Sequence, residues 1–233
     1  MSQSSDTREM FSRIAARYDL VNTVLSLGMD GFWRRRAVNR ALSRPGLVVL
    51  DLCAGTGKVA MDCAAAKHRP SRIIAVDFAE PMLQLARVEI DRRGLSERIG
   101  TLCADSLALP LATASCDVIT CAFGVRNLYD LDRGLAEMAR CLRHGGRAMI
   151  LEFLNPGTRR LFRLFSFYVK RVLPVLGGWI SGSRDAYAYL PESIDRFVTR
   201  EEFAERLGAA GFRDVAMAEA LGGVCTAVSA ERE

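Results

Sequence analysis

Between residues 47 and 152 short apolar runs alternate with segments of helical character, and that order restricts the fold more than any other feature of the chain. Leu47–Cys53, Arg72–Asp77, Ile99–Ala104, Cys116–Ala122 and Gly146–Glu152 read as strands. Gly57–Ala66, Pro81–Arg93 and Asp132–Leu142 read as helices. Pro81 suits a first helical turn, and Gly94 follows the end of that helix. Strands alternating with helices imply an α/β fold whose parallel sheet is covered on both faces. A helical region over residues 8–43 precedes it, with Met10, Phe11, Ile14, Tyr18, Val21, Val24 and Leu25 near helical spacing, and Pro45-Gly46 ends that region. A helix at Thr199–Ala210, a strand at Phe212–Ala218 and a last strand near Val224–Val228 close the chain, the final pair antiparallel. No linker-like stretch divides the 233 residues, so one domain is expected, with a helical cap at 1–45 and an insertion at 155–198.

In such sheets ligands bind beyond the carboxyl ends of the strands, where the strand order switches. That rule brings Asp51–Gly57, Asp77–Phe78, Asp105–Ser106, Ala122–Asn127 and Glu152–Pro156 to one cleft. VLDLCAGTGK, from Val49 to Lys58, is an apolar run ending in an acid and followed by Ala54, Gly55, Thr56 and Gly57. Glycines there remove bulk and permit unusual backbone angles. Asp77 stands twenty residues after Gly57, at the end of the next strand, where a carboxylate can accept from both ribose hydroxyls of an adenosine group. GTGKVA also fits the dinucleotide pattern G-x-G-x-x-A. Against a nicotinamide cofactor, the loop starts about fifty residues into the chain, and no Tyr-x-x-x-Lys pair occurs. S-adenosylmethionine is the competing ligand. It lacks a pyrophosphate and carries a sulfonium, which Asp51 suits better than it suits a phosphate. The plainer reading makes Asp51 and Asp77 local caps.

Charge and cysteine usage narrow the classes without choosing one. A net charge of +5, carried almost wholly by arginine, fits nucleic acid, an anionic membrane or no special partner. Seven cysteines without a C-x-x-C pair, a polar start (MSQSSDTREM) and no apolar run of spanning length lead to the expectation of a cytoplasmic protein with reduced thiols. Cys53, Cys103 and Cys121 read as small apolar side chains in or at the ends of strands. Two distant histidines, His68 and His144, make a metal site unexpected. A nucleic-acid partner is not expected either. Arg34-Arg35-Arg36 is the one small basic patch, and no Asn/Asp-Pro-Pro-Tyr pocket is present.

Five segments, in order over about residues 10–223, resemble the ubiquinone/menaquinone biosynthesis C-methyltransferases of the UbiE/MenG family. They are YDLVNTVLSLGMDGFW (18–33), DLCAGTGK (51–58), FGVRNL (123–128), RCLRHGGRAMILEF (140–153) and YAYLPESI (187–194). The family usually has histidine at Asp30, aspartate at Lys58, proline at His144, Ser or Thr at Leu154 and serine at Ala122. The resemblance implies a Rossmann-like class I methyltransferase with a mostly parallel seven-stranded sheet. It implies S-adenosylmethionine as cofactor, with Ala54, Gly55, Thr56, Gly57, Asp51, Asp77, Phe78, Met82, Asp105, Ser106 and Ala122 as cofactor-binding positions. It also implies a prenylated quinol as substrate, methylated on a ring carbon. Other readings remain: a methyltransferase of another small molecule or lipid, or an inactive homologue that only binds the cofactor.

A ring carbon becomes nucleophilic when its neighbouring hydroxyl ionises, so the site must hold the ring and stabilise a phenolate. Arg126 and Asn127, after the fourth strand, are the expected catalytic pair, with Tyr18 completing the network. Arg126 offers five donors but is a poor base, so its role is electrostatic; the alternative is an ordinary surface or ion-pair arginine. The proton acceptor is left open between Asp30, water and no protein group. Arg159–Ile180 interleaves Leu161, Phe162, Phe165 and Tyr168 with Arg159, Arg160, Arg163, Lys170 and Arg171. Such a segment lies on an anionic membrane, walls a channel for the prenyl chain, packs as a core helix or forms a homodimer interface.

Overall fold

The computed structural model describes residues 28–155, 192–220 and 225–233. Tyr18, the segment Arg159–Ile180 and most of YAYLPESI lie outside the described residues. The order is α1 (Asp30–Ala41), β1 (Val48–Leu52), α2 (Lys58–Ala64), β2 (Arg72–Asp77), α3 (Glu80–Arg92), β3 (Ile99–Cys103), β4 (Cys116–Ala122), a 3-10 turn (Val125–Asn127), α4 (Leu131–Cys141), β5 (Leu142–Glu152), α5 (Arg200–Ala209), β6 (Phe212–Ala220) and β7 (Cys225–Arg232). Seven strands form one sheet in the order β3-β2-β1-β4-β5-β7-β6. Pairings from β3 through β5 are parallel, and β7 is antiparallel to both β5 and β6.

The core is two apolar layers on the two faces of this sheet, as strand periodicity dictates. Leu50, Leu52, Ile119 and Cys121 face α4 and α5, meeting Leu135, Met138, Phe203 and Leu207. Val49, Val118 and Met149 face the other way, onto Ala37 and Val38 of α1, Ala60 and Cys63 of α2, and Ala86 and Ile90 of α3. The helix starts are set locally. Asp130 accepts from the Arg133 amide at 3.0 Å to cap α4. Thr199 and Glu202 form a capping box on α5. In α3, Pro81 occupies the first turn.

Several boundaries depart from the sequence reading by a residue or more, among them three that shape the cap and the sheet. Of the helix expected over 8–43, the described part is α1, which ends at Ala41. β5 begins at Leu142 rather than Gly146, because the edge after Leu142 bulges: β4 advances from Cys116 to Val118 while β5 passes from Leu142 to Arg147. Gly145, at φ 70°, turns that bulge. β7 runs on to Arg232 instead of stopping at Val228, since Arg213 of β6 pairs with Glu231 at 2.7 Å and extends the ladder. The strand order reverses between β1 and β4, so the cleft of a doubly wound sheet opens over their carboxyl ends.

Candidate active site at the carboxyl edge of the sheet

The loop after β1 is held by backbone groups. The Ala54 amide donates to the Val76 carbonyl at 2.9 Å, which ties the loop to β2. Gly55, at φ 54°, donates its amide to Asp77 Oδ2 at 2.8 Å; the other carboxylate oxygen accepts from the Ala79 amide at 2.8 Å. Asp77 is thereby fixed at the end of β2, buried, with burial raising its pKa against those amide bonds. Gly57, at φ 76°, starts α2. A Cβ there would sit 3.1 Å from Ala86 Cβ, so the glycine lets α2 lie against α3. Both glycines of the loop are therefore required by conformation, and one by packing as well.

Around this cradle the other predicted positions divide. Thr56 and Ser106 are buried, Ala54, Phe78 and Ala122 half-buried, and Asp105 exposed. Asp105 accepts from the exposed Tyr129 hydroxyl at 3.1 Å. Met82 is 2% exposed and packs with Phe78 and Ala79, so it forms the floor under the β2 loop rather than its open surface. Asp51 lies inside β1, fully buried, beneath the loop rather than open at its entrance. Its Oδ1 accepts from the Thr120 hydroxyl at 2.8 Å, and its Oδ2 has no hydrogen-bond partner. Burial drives its pKa up to about 7, with Asp77 and Asp62 pushing the same way and Thr120 opposing. Strand alternation turns Asp51 and Thr120 to the α1–α2 face, a polar pair in an otherwise apolar layer.

The loop after β4 is built from side chains. Phe123 adopts φ 58°, a left-handed conformation rare for an aromatic residue. Its amide donates to the Leu151 carbonyl at 2.7 Å. Its carbonyl accepts from Arg126 Nη1 at 2.9 Å and Asn127 Nδ2 at 3.3 Å. Gly124 follows, and a Cβ there would fall 2.3 Å from Cys53 Cβ and 2.9 Å from Cys121 Sγ. The glycine of FGVRN is thus where the β4 loop is pressed onto the β1 loop. Arg126 enters a buried ion pair with Glu152, Nη1 to Oε1 at 2.5 Å, the side chains being 7% and 0% exposed. Its guanidinium stands 5.7 Å from the centre of the Phe153 ring, and Phe153 stacks on Phe123 at 4.7 Å. Trp33, Leu151 and Cys225 back this aromatic pair. The ion-pair alternative raised for Arg126 is what the side chain adopts, at the rim of the cleft and beside an aromatic wall.

Asp30 does not stand alone at the cap. Arg34 pairs with it and also donates to Asp62 of α2 through Nε at 3.2 Å, joining α1 to α2. Of the cysteines, Cys121 is buried and Cys53 half-buried at the β1–β4 junction, whereas Cys103 is exposed, so the expectation of an apolar packing role fails there. Among the described residues no group of three or more His, Cys, Asp or Glu side chains could hold a metal ion.

Glu152, Gly124 and Phe153 fall within segments that the sequence places at the cleft but received no role there, and Thr120 was not singled out. A usable signal existed for Glu152: GRAMILE is an apolar strand ending in an acid, just as RIIAVD is. Thr120, the one hydroxyl within CDVITCA, carried a weaker one.

The chain matches the ubiE/COQ5 methyltransferase family over residues 1–231. It is 43% identical over 225 residues to a ubiquinone/menaquinone biosynthesis C-methyltransferase of Geobacter sulfurreducens, covering 97% of this chain and 88% of that protein. With a demethylmenaquinone methyltransferase of Thermus thermophilus it shares 45% identity over 205 residues, 87% of this chain and 91% of the other. An S-adenosylmethionine-dependent methyltransferase of Thermotoga maritima superposes with a TM-score of 0.67 at 18% identity, covering 97% and 99% of the two chains. A [4+2]-cyclase superposes almost as well, TM-score 0.66 at 16% identity over 87% of this chain and 80% of that one. The fold is therefore that of the class I methyltransferases, and the cyclase shows that the fold alone does not choose the chemistry.

Proposed function

Given that this chain belongs to the ubiE/COQ5 methyltransferase family, we propose that Arg126 is the group that stabilises a quinol oxyanion while a ring carbon is methylated. The chain is an S-adenosylmethionine-dependent C-methyltransferase of menaquinone or ubiquinone biosynthesis, and its substrate is a quinol. The observation that carries the role of Arg126 is its placement, nearly desolvated, at the carboxyl end of β4 beside the Phe123–Phe153 wall.

The residues present suit the cofactor. Gly55 and Gly57 leave the β1 loop without side-chain bulk; Asp77 retains acceptor capacity beyond its two amide bonds; and Asp51 holds one buried oxygen with no partner. We assign the adenosine end to Asp77, Phe78, Asp105 and Ser106, with Met82 beneath them, and the charged end to Ala54, Thr56 and Ala122, with Asp51 buried beneath them. S-adenosylmethionine, when bound, supplies an electrophilic methyl group on a cationic sulfur.

The protein's own part is to bind the ring, keep water out and favour the ionised hydroxyl. The stacked Phe123 and Phe153 offer a flat apolar surface for a quinol ring. Arg126 stays protonated at every working pH, so it stabilises negative charge on the ring oxygen without exchanging a proton. Asn127 pins the Phe123 carbonyl and hence the loop that carries Arg126. Tyr18 is assigned to the acceptor side by its place in the first family segment. Since Asp30 is paired with Arg34, which Asp62 also engages, we assign the departing proton to water.

The test is Arg126→Ala, assayed by calorimetry with S-adenosylmethionine and by methyl transfer to demethylmenaquinol and to the benzoquinol analogue. The expected result is an unchanged cofactor affinity and turnover lower by about 10²–10³-fold, the usual loss of one oxyanion donor. Weakened cofactor binding with normal turnover at saturation would remove Arg126 from the chemical step. The basic and apolar sequence of Arg159–Ile180 further supports docking on an anionic membrane surface, where prenylated substrates reside. Flotation with anionic vesicles checks this, and sedimentation of the free protein checks for a homodimer.

A further inference from the structure

We propose that Glu152 is the positioning residue of the acceptor site, fixing both the root and the tip of Arg126; the proposal rests on the assignment of Arg126 to the quinol oxyanion. Glu152 Oε1 accepts from Arg126 Nη1 at 2.5 Å, and Oε2 accepts from the Arg126 backbone amide at 3.3 Å. One carboxylate thus grips the same arginine at its main chain and at its guanidinium. The Phe153 amide, donating to Oε1 at 2.8 Å, holds the carboxylate in turn. Phe153 then presents its ring 5.7 Å beneath the guanidinium. The long arginine side chain is left with one arrangement, and its orientation is settled before any ligand arrives.

Stability does not account for this arrangement. Glu152 ends a strand whose preceding residues Met149, Ile150 and Leu151 are apolar and buried, so the charge is set into an apolar stretch. Buried ion pairs are often no more stabilising than apolar replacements. What the pair does provide is an oriented cation in a dry place, which costs no reorganisation when charge develops on a ring oxygen. A misplacement of about 1 Å at such a group costs on the order of 10²-fold in rate. Glu152 acts through Arg126 and has no assigned contact with the quinol.

A double-mutant cycle on the full chain tests this. Glu152→Gln is expected to keep cofactor affinity within about threefold and to lower kcat by about 10–100-fold. In an Arg126→Gln background the same change is expected to alter kcat less than about threefold, because the group it positions is gone. An equal further loss in that background would show general support of the fold and overturn the proposal. Wild-type turnover of Glu152→Gln, with Arg126→Gln inactive, would overturn the role of Glu152 alone. Full turnover of Arg126→Gln would instead overturn the assignment of Arg126 and the proposal with it. Should Glu152→Gln fail to fold with a lone buried cation, Glu152→Asp keeps the charge one methylene further back. An expected loss of about tenfold in kcat supports the proposal, and wild-type kcat in that variant sinks it.

Discussion

The two halves of the cleft are made from different materials. On the β1–β2 side, the site is backbone: two glycines at positive φ, amides of Ala54, Gly55 and Ala79, and one carboxylate, Asp77, that receives two of those amides. On the β4–β5 side it is side chain: an arginine, a buried glutamate, two stacked phenylalanines and an asparagine on one carbonyl. A backbone cradle recognises a ligand shared by many enzymes and tolerates change in the side chains around it. A side-chain network is particular to one reaction, and losing any member leaves a buried partner unsatisfied. On the proposed reading, the first half serves the common methyl donor and the second the particular acceptor.

Substitutions should separate the halves, and the most severe should join them. Gly124→Ala puts a Cβ 2.3 Å from Cys53 Cβ and 2.9 Å from Cys121 Sγ. It is expected to destabilise by about 3 kcal/mol or more and to weaken cofactor binding and turnover together, measured by thermal unfolding and calorimetry. Adding Cys53→Gly, which removes the Cβ at a residue already at φ 53°, should restore part of that loss. If Gly124→Ala left the donor site untouched, the halves would be mechanically separate.

Asp77→Ala comes next. It should raise the Kd for S-adenosylmethionine by about 10–100-fold, the worth of one or two charge-assisted bonds. Turnover at saturating cofactor should change little, the mirror image of Arg126→Ala. A fall in saturated turnover as large as the fall in affinity would blur the division.

Asp51 gives a pH signature confined to the donor half. Its folded pKa, about 7, lies above the unfolded value of about 3.9. Its contribution is therefore fully present below pH 4 and lost as the pH rises through 7. The difference is on the order of 4 kcal/mol at most, before relaxation reduces it. Asp51→Asn should raise the melting temperature at pH 8 and hardly move it at pH 4. A uniform shift at both values would mean that Asp51 does not titrate in this range.

The smallest effect belongs to the cap. Asp30→Asn weakens the bridge from Arg34 that ties α1 to α2 and should cost about 1 kcal/mol in urea unfolding with cofactor affinity intact.

How legible each half was follows from its material. Gly55, Gly57 and Asp77 were readable because steric rules on φ and the acid at a strand end leave a local imprint in sequence. The strand order was readable too, from alternating apolar runs. Arg126 was placed at the cleft by its position after the fourth strand and given its role by resemblance, but nothing local to FGVRN says that its partner lies twenty-six residues on. The roles of Glu152 and Gly124 were hidden for the same reason: each is defined by a contact across the sheet. Asp51 was found as an acid but misplaced, because sequence does not tell a loop mouth from a strand interior one pleat below. The extra length of β7 escaped notice because Ser229, Glu231 and Arg232 look like a polar tail until Arg213 is seen opposite them.

The contact between Gly124 and Cys53 has a practical consequence for anyone altering this catalyst. With no slack between the two loops, reshaping the β1 loop for a bulkier methyl-donor analogue is expected to shift the loop that carries Arg126 as well. Donor and acceptor preferences must be engineered as one trait, and libraries that vary residues 53 and 121–126 jointly will reach solutions that separate libraries miss.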